Sequence, residues 1–308
     1  MAVAEQIAGL ESAVGRTPLV SLRRLPDRRG AAVRVKLEGR NPGGSVKDRA
    51  ALWIVRAAER RGLLRPGKTL LDASSGNTGI AYAMLCASRG YGCEICLPAN
   101  ASEERKRLLR GYGATVVITD AAEGSDGAIR EARRRAASDP DRYYYADQYN
   151  NADNVRAHYE GTGREIWRQT RGGVTHFVAG LGTSGTFVGV GRRLRRYRPS
   201  TRLIAVQPDS PFHGIEGLKH MASALVPGIW EPDLPDGTMR VRTEDAQEMA
   251  VRLAREEGLL AGPSGGANVL AALRVAASLG PNELIVTVLP DGGERYLSEV
   301  WWESNGSR

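Results

Sequence analysis

The sequence predicts an α/β fold made of two open parallel-sheet domains with a cleft between them. Three observations predict it. Apolar strand-like runs alternate with helical stretches along most of the chain, the pattern of parallel sheets covered by helices on both faces. One local arrangement occurs twice: "KTLLDASSGNTGIAYAMLCASRG" and "THFVAGLGTSGTFVGVGRRLRRY" each run from an apolar strand through a glycine, serine and threonine loop into a helix. In such sheets ligands lie at the carboxyl ends of the strands, so two loops of this kind imply two sheets facing one cleft. Finally, 308 residues at roughly 150 per domain favour two domains. We place a smaller domain at 39–150 and a larger one at 1–38 plus 151–308.

The elements follow in order. The stretch "EGRNPGGSVKDRA" sets Lys47 behind a proline and a glycine pair. The first repeated unit then gives a strand, the loop "SSGNTG" and the helix "IAYAMLCASRG", followed by a short buried strand in "YGCEICLP". Ser102 is placed to cap the helix "SEERKRLLRGYG", with acids in its first turn and Gly111 as a stop. A strand "ATVVIT" and a helix ending near Ser138 come next. The polar and aromatic stretch "YYYADQYNNADNV" breaks the pattern and is read as the crossover between domains. The second repeated unit follows. Thr243 is placed as the cap of "EDAQEMAVRLAREEG", whose apolar residues recur at helical spacing up to Gly258. The last strand is "ELIVTVLP", followed by the turn "DGGERY".

Composition excludes several classes. The longest apolar runs, "HFVAGL" and "LIVTVLP", fall far short of the ~20 residues a spanning helix needs, so no membrane association is expected. The N-terminus has early acids and no long apolar block, unlike a secretory signal. The expected location is the cytoplasm. Three cysteines, Cys86, Cys93 and Cys96, lack the second pair or histidines that would complete a zinc site, and read as packing residues. No metal is expected. The net charge of +8 includes "RRLRRYR" at 192–198, but no nucleic-acid module accompanies it. Small anionic substrates are the better reading of that charge.

Three features carry chemistry. The loop Gly180–Thr186, "GLGTSGT", offers consecutive backbone N–H groups and hydroxyls at a helix start, a phosphate cup. It lacks the Gly-x-Gly-x-x-Gly register of dinucleotide sites. The loop Ser74–Gly79 offers the hydroxyls of Ser74, Ser75 and Thr78, the amide of Asn77 and further N–H groups, which suit a carboxylate and a ring oxygen. Lys47 is followed by Asp48, which argues against a nucleotide-triphosphate loop. A lysine, a phosphate cup and a carboxylate cup together match pyridoxal 5'-phosphate held as a Schiff base and acting on an amino acid. Partial burial and a nearby positive charge, for which Arg49 is the candidate, would lower the lysine's pKa toward its reactive neutral form.

The motifs "NPGGSVKDR", "SSGNTG", "GTSGT", "GPSGGA" and "PDGGERYLS" occur in the order and approximate spacing of one family. Over roughly residues 8 to 300 the chain resembles the cysteine synthases, O-acetylserine sulfhydrylases of the β-family, or fold type II, of pyridoxal-phosphate enzymes. The resemblance implies that Lys47 is the Schiff-base lysine and proton shuttle, and that Asn77 meets the ring oxygen and borders the substrate. It implies that Ser74, Ser75, Thr78 and Gln148 hold the substrate α-carboxylate. Gly182, Thr183, Ser184, Gly185 and Thr186 would surround the phosphate, and Ser264 would meet the pyridine nitrogen. A neutral serine partner makes the ring a weak electron sink, which favours loss of a β-leaving group over racemisation. The implied reaction is β-replacement of an O-activated L-serine by a sulfur nucleophile, through α-aminoacrylate, to L-cysteine. The chain departs from the family at Ser184, where glycine is usual, and at Pro263 and Gly265 beside Ser264.

Thr78 stands where serine and threonine dehydratases and racemases of this family carry histidine, which favours sulfhydrylation or cystathionine synthesis. Lys219, in "FHGIEGLKHMASALVPGIW", falls where phosphoserine-using relatives place an arginine. The expectation is that O-phosphoserine is accepted alongside or instead of O-acetylserine; the alternative is that Lys219 and His220 point to solvent. Sulfide, thiosulfate and a thiocarboxylate carrier protein stay open as the sulfur source. A cystathionine β-synthase, an amine-using β-replacement enzyme making a siderophore precursor, and a non-catalytic binding protein are the competing readings. The resemblance implies a homodimer. Asp291 has a position but no assigned role.

Overall fold

The computed structural model describes residues 9–27, 29–74 and 76–304; Ser75, one of the expected carboxylate ligands, lies outside them. The chain opens with β1 (Leu19–Ser21) and β2 (Ala32–Leu37), then α1 (Lys47–Arg60). Strands and helices alternate through β3 (Thr69–Ala73), α2 (Asn77–Arg89), β4 (Gly92–Pro98) and α3 (Glu103–Gly111). They continue through β5 (Thr115–Thr119), α4 (Gly124–Ser138) and β6 (Tyr143–Tyr145). A broken helix follows, α5 (Ala152–Ala157), one π-turn at His158–Thr162 and α6 (Gly163–Gln169). The rest comprises β7 (His176–Gly180), α7 (Gly185–Tyr197), β8 (Arg202–Pro208), β9 (Gly237–Val241), α8 (Thr243–Glu257), α9 (Pro263–Ala276), β10 (Leu284–Leu289) and α10 (Val300–Ser304).

Two sheets form. One is β5-β4-β3-β6, parallel throughout; the other is β1-β2-β10-β7-β8-β9, parallel except for the antiparallel edge pair β1–β2. The two-residue period of a strand explains how each sheet is covered twice. In β3, Leu70 packs with Ile54, Ile80 and Ile95 from α1, α2 and β4, whereas Leu71 packs with Ala128 and Ile129 of α4. In β10, Ile285 joins Met249 and Val269 of α8 and α9, whereas Val286 joins Phe177 and Phe187 on the other face. Each fully buried side chain of this kind contributes about 1.5–3 kcal/mol of transfer free energy. All three cysteines are buried and free, packed on α2 and β4. Among the described residues no helix is long and apolar enough to cross a membrane.

Two caps differ from expectation. Ser102 precedes α3 but makes no capping side-chain bond. Thr243 is the first residue of α8 rather than its cap, and its Oγ1 accepts a bond from the Gly214 N–H at 3.0 Å. That hydroxyl therefore ties down the 209–236 segment instead of its own helix.

Candidate active site

Both repeated loops open at carboxyl ends of parallel strands, β3 in one sheet and β7 in the other, and they meet at one cavity. This cavity, about 220 Å³, is lined by Lys47, Ser74, Asn77, Thr78 and Gln148 on one side and by Gly182, Thr183 and Lys219 on the other. A smaller adjoining cavity of about 40 Å³ is lined by Lys47, Asn77, Thr183, Ser184, Thr186, Ser264 and Asn268. The structure thus brings together the expected residues on the described part of the chain, with Gly185 one step behind the wall as the first residue of α7.

Lys47 begins α1, and its backbone is pinned from behind. The Val46 N–H donates to the Pro290 carbonyl at 2.8 Å, and Ser45 forms an isolated bridge with Asp291. Gly44 has φ +80°, and a Cβ there would run into the Arg295 guanidinium, so glycine is required for the turn that presents Lys47. Burial pushes the Lys47 amine below the ordinary lysine value, while the charge of Asp291 pulls it back up. Arg49 does not act as expected. Its Nε and Nη2 donate to Glu38 at 2.6 and 2.9 Å, and Nη1 and Nη2 donate to Glu165 at 2.7 and 2.8 Å. The guanidinium is spent on two carboxylates, and desolvation rather than a neighbouring cation lowers the lysine's pKa.

The carboxylate cup is internally bonded. Ser74 Oγ accepts from the N–H groups of Gly76 and Gly79, both at 3.0 Å, capping α2 and leaving its own O–H to donate. Thr78 Oγ1 donates to Gln148 Oε1 at 2.7 Å, and Gln148 Nε2 donates to the Ala73 carbonyl at 2.6 Å. Below them Asp72 accepts from the Ala73 N–H at 2.8 Å and the Gln148 N–H at 3.3 Å. Burial pushes its carboxyl up to about 8.

At the phosphate cup, Ser184 takes the left-handed conformation, φ +68°, just before α7, and its hydroxyl bonds the Thr183 carbonyl at 2.6 Å. The Ser184 side chain does not cap α7, which suits its first-turn amides to an anion. Close packing fixes the loop: a Cβ on Gly185 would run into Asn154 Oδ1, and one on Gly182 would run into the Gly217 carbonyl oxygen. Asn154 Nδ2 donates to Thr183 Oγ1 at 3.1 Å, while its Oδ1 is buried without a partner among the described residues. His158, in the π-turn, contacts Thr186 Oγ1 through Nε2 at 3.3 Å and Thr162 through Nδ1 at 3.0 Å. Burial pushes it down to about 3, so it stays a neutral imidazole at ordinary pH. Ser264 sits on the first turn of α9 behind Pro263, buried against the smaller cavity.

Lys219 does not point to solvent. Its side chain is 6% exposed, its Nζ lies 2.7 Å from Asp126 Oδ1, and it stands over the Tyr149 ring at 5.0 Å. Asp126, Asn154, His158, Arg105 and Tyr296 were not legible as site residues. The sequence signal for Asn154 was the polar break "DQYNNADN"; Tyr296, which lines the larger cavity with Arg105, falls in the motif "PDGGERYLS" but had no role assigned to it, and Arg105 and Asp126 sit in stretches that read as ordinary helix surface. Among the described residues no group of three His, Cys, Asp or Glu side chains could hold a metal ion.

The arrangement fits a phosphorylated aldehyde cofactor. The loop before α7, the buried amine of Lys47, the Asn77 amide and the neutral hydroxyl of Ser264 line one cavity, a donor set that would suit a phosphate, an aldehyde and a ring. Comparison with known proteins agrees. Residues 10–291 match the family described as pyridoxal-phosphate dependent enzyme. The chain is 50% identical over 291 residues to cysteine synthase of Aquifex aeolicus (strain VF5), covering 92% of this chain and 89% of that protein. The structure superposes on cysteine synthase from Entamoeba histolytica with a TM-score of 0.91 at 34% identity, covering 98% and 93% of the two chains. It superposes on an O-ureido-L-serine synthase with a TM-score of 0.90 at 39% identity, covering 96% and 95%.

Proposed function

Given that the chain belongs to the pyridoxal-phosphate-dependent enzymes, and among them makes cysteine as the cysteine synthases do, we propose that it accepts O-phosphoserine as well as O-acetylserine, with Lys219 meeting the phosphate. The observation that carries this reading is the burial of the Lys219 ammonium at the wall of the cavity that also holds Lys47 and the carboxylate cup. An ammonium held there offers a charge-assisted bond to a dianionic leaving group and little to a neutral acetyl ester. Asp126 pairs with Lys219, so an incoming phosphate must compete with one carboxylate.

The roles follow from the residues. When bound, pyridoxal phosphate supplies an aldehyde for the substrate amine and a ring that draws electron density from the α-carbon. In this reading Lys47 holds the cofactor and then moves the α-proton, for which its lowered pKa suits it. Gly182 to Thr186 hold the phosphate tail, Asn77 the ring oxygen, and Ser264 the ring nitrogen. Ser74, Thr78 and Gln148, with Ser75, orient the α-carboxylate. The neutral Ser264 hydroxyl limits charge build-up on the ring and so favours prompt departure of the β-substituent. Residues 39–150 act as a unit around the carboxylate cup, and the enzyme works as a cytoplasmic homodimer; this part rests on the family resemblance, which leaves the sulfur source open.

Turnover of both donors by wild type and Lys219→Ala tests the donor assignment. Loss of one charge-assisted bond, about 1.5–3 kcal/mol, should lower kcat/KM for O-phosphoserine by roughly ten- to a hundredfold while changing O-acetylserine turnover by no more than about threefold. An unchanged ratio between the donors removes the assignment.

A further inference from the structure

We propose that Asp291 and Arg295 are positioning residues that lock the Asn77 amide in one orientation, so that it can only donate toward the cofactor's ring oxygen. The proposal rests on the reading of the cavity as a pyridoxal-phosphate site and adds to it a role for two residues from the far end of the chain.

An asparagine side chain is nearly symmetric in shape, and its orientation is set by its partners. Here both partners are one-way. Asp291 Oδ2 accepts from Asn77 Nδ2 at 2.6 Å, and a carboxylate has no hydrogen to offer. Arg295 donates through Nη1 to Asn77 Oδ1, and a guanidinium has no acceptor. Flipping the amide would set N–H against N–H and oxygen against oxygen. One N–H of Asn77 goes to Asp291; the second remains for the cavity that Asn77 lines with Lys47 and Ser264.

The lock is itself anchored. Asp291 is 2% exposed, and its Oδ2 also accepts from the Tyr296 hydroxyl at 2.7 Å. That hydroxyl in turn accepts from Arg105 Nη2 at 2.8 Å. Arg295 reaches the Gly43 carbonyl with its other arm, in the turn that leads to Lys47. Among the described residues the Oδ1 oxygen of Asp291 is buried without a hydrogen-bond partner, an arrangement that costs stability and that a turn residue alone would not need. An uncharged asparagine at 291 could present either end of its amide to Asn77, so the carboxylate half of the lock would be lost and the orientation would rest on Arg295.

The test uses the holoenzyme of wild type, Asp291→Asn and Tyr296→Phe. A form of the cofactor with its ring oxygen ionised and one with it protonated absorb in separate bands, and donation from Asn77 favours the ionised form. In Asp291→Asn the band ratio should move toward the protonated form by roughly tenfold, the scale of one charge-assisted hydrogen bond. In Tyr296→Phe, which keeps both one-way partners, it should move by less than about twofold. Borohydride reduction and peptide mapping on wild type are run in parallel. An adduct at Lys47 together with an unchanged ratio in Asp291→Asn, or an equal shift in Tyr296→Phe, overturns the lock while leaving the site reading intact. Absence of the adduct overturns the site reading and the lock with it.

Discussion

Replacing Arg49 by methionine removes one charge from the most heavily paired buried ionic group behind Lys47, and the consequence can be worked through. Glu38 is fully buried and accepts from Arg49, from Thr17 Oγ1 at 2.7 Å and from Asn41 Nδ2 at 3.0 Å. Glu165 is shared between Arg49 and Lys36, whose Nζ lies 2.7 Å away. Two carboxylates thus balance two cations. Burial alone would raise the Glu38 carboxyl, but Arg49, together with the Thr17 hydroxyl and the charge of Lys36, offsets this and holds it below the ordinary value. Burial also works to raise Glu165, and the Arg49 bonds bring it down to about 2. Methionine keeps most of the volume but leaves Glu38 without its cation, and breaking a buried pair costs about 3–5 kcal/mol. For a chain of this length that is a fall of roughly 5–10 °C in Tm. In wild type these folded-state pKa values are depressed, so their contribution is present above the unfolded value and lost as pH falls through the folded one. In the variant the Glu38 carboxyl rises, so its penalty grows with pH. The Tm gap should therefore be widest near pH 8 and narrow toward pH 5, and the double variant Arg49→Met with Glu38→Gln should recover at least half of it. Thermal melts followed by far-UV circular dichroism read all of this. A gap that is absent, or that does not change with pH, refutes the reasoning. So does a roughly tenfold slower reductive trapping of Lys47 in Arg49→Met, because Arg49 would then be tuning the lysine and not the carboxylates.

The remaining predictions concern the two cups. Gly185→Ala places a methyl against Asn154 Oδ1, and Asn154 carries Thr183. Cofactor affinity, titrated by absorbance on the apoenzyme, should fall by at least about tenfold, with about 1–3 kcal/mol lost to overpacking; unchanged affinity would show that the phosphate does not use this loop. Asp72, raised to about 8 by burial, is protonated in the folded protein at neutral pH and ionised in the unfolded chain above ~4. Its contribution is therefore complete below ~4 and is lost as pH rises toward 8, by up to ~1.4 kcal/mol per unit. The stability of Asp72→Asn relative to wild type should climb across that window, whatever its constant offset; a flat difference in denaturant melts counts against it.

What the sequence determined by itself is local. Short apolar runs between helical stretches made the strands, and glycine with hydroxyl residues at strand ends made the two cups, because backbone conformation and N–H exposure depend on a few neighbouring residues. Lys47, Asn77 and the Gly182–Thr186 loop were legible on those grounds. The tertiary structure decided which charges meet. Arg49 looked like a neighbour tuning Lys47, yet it faces Glu38 and Glu165, 11 and 116 residues away in sequence. Lys219 finds Asp126 across 93 residues, and Asn77 finds Asp291 across 214. Long polar side chains have many rotamers and no periodic signature, so their partners are set by how the two sheets bring distant loops to one cavity, where burial makes each pairing count.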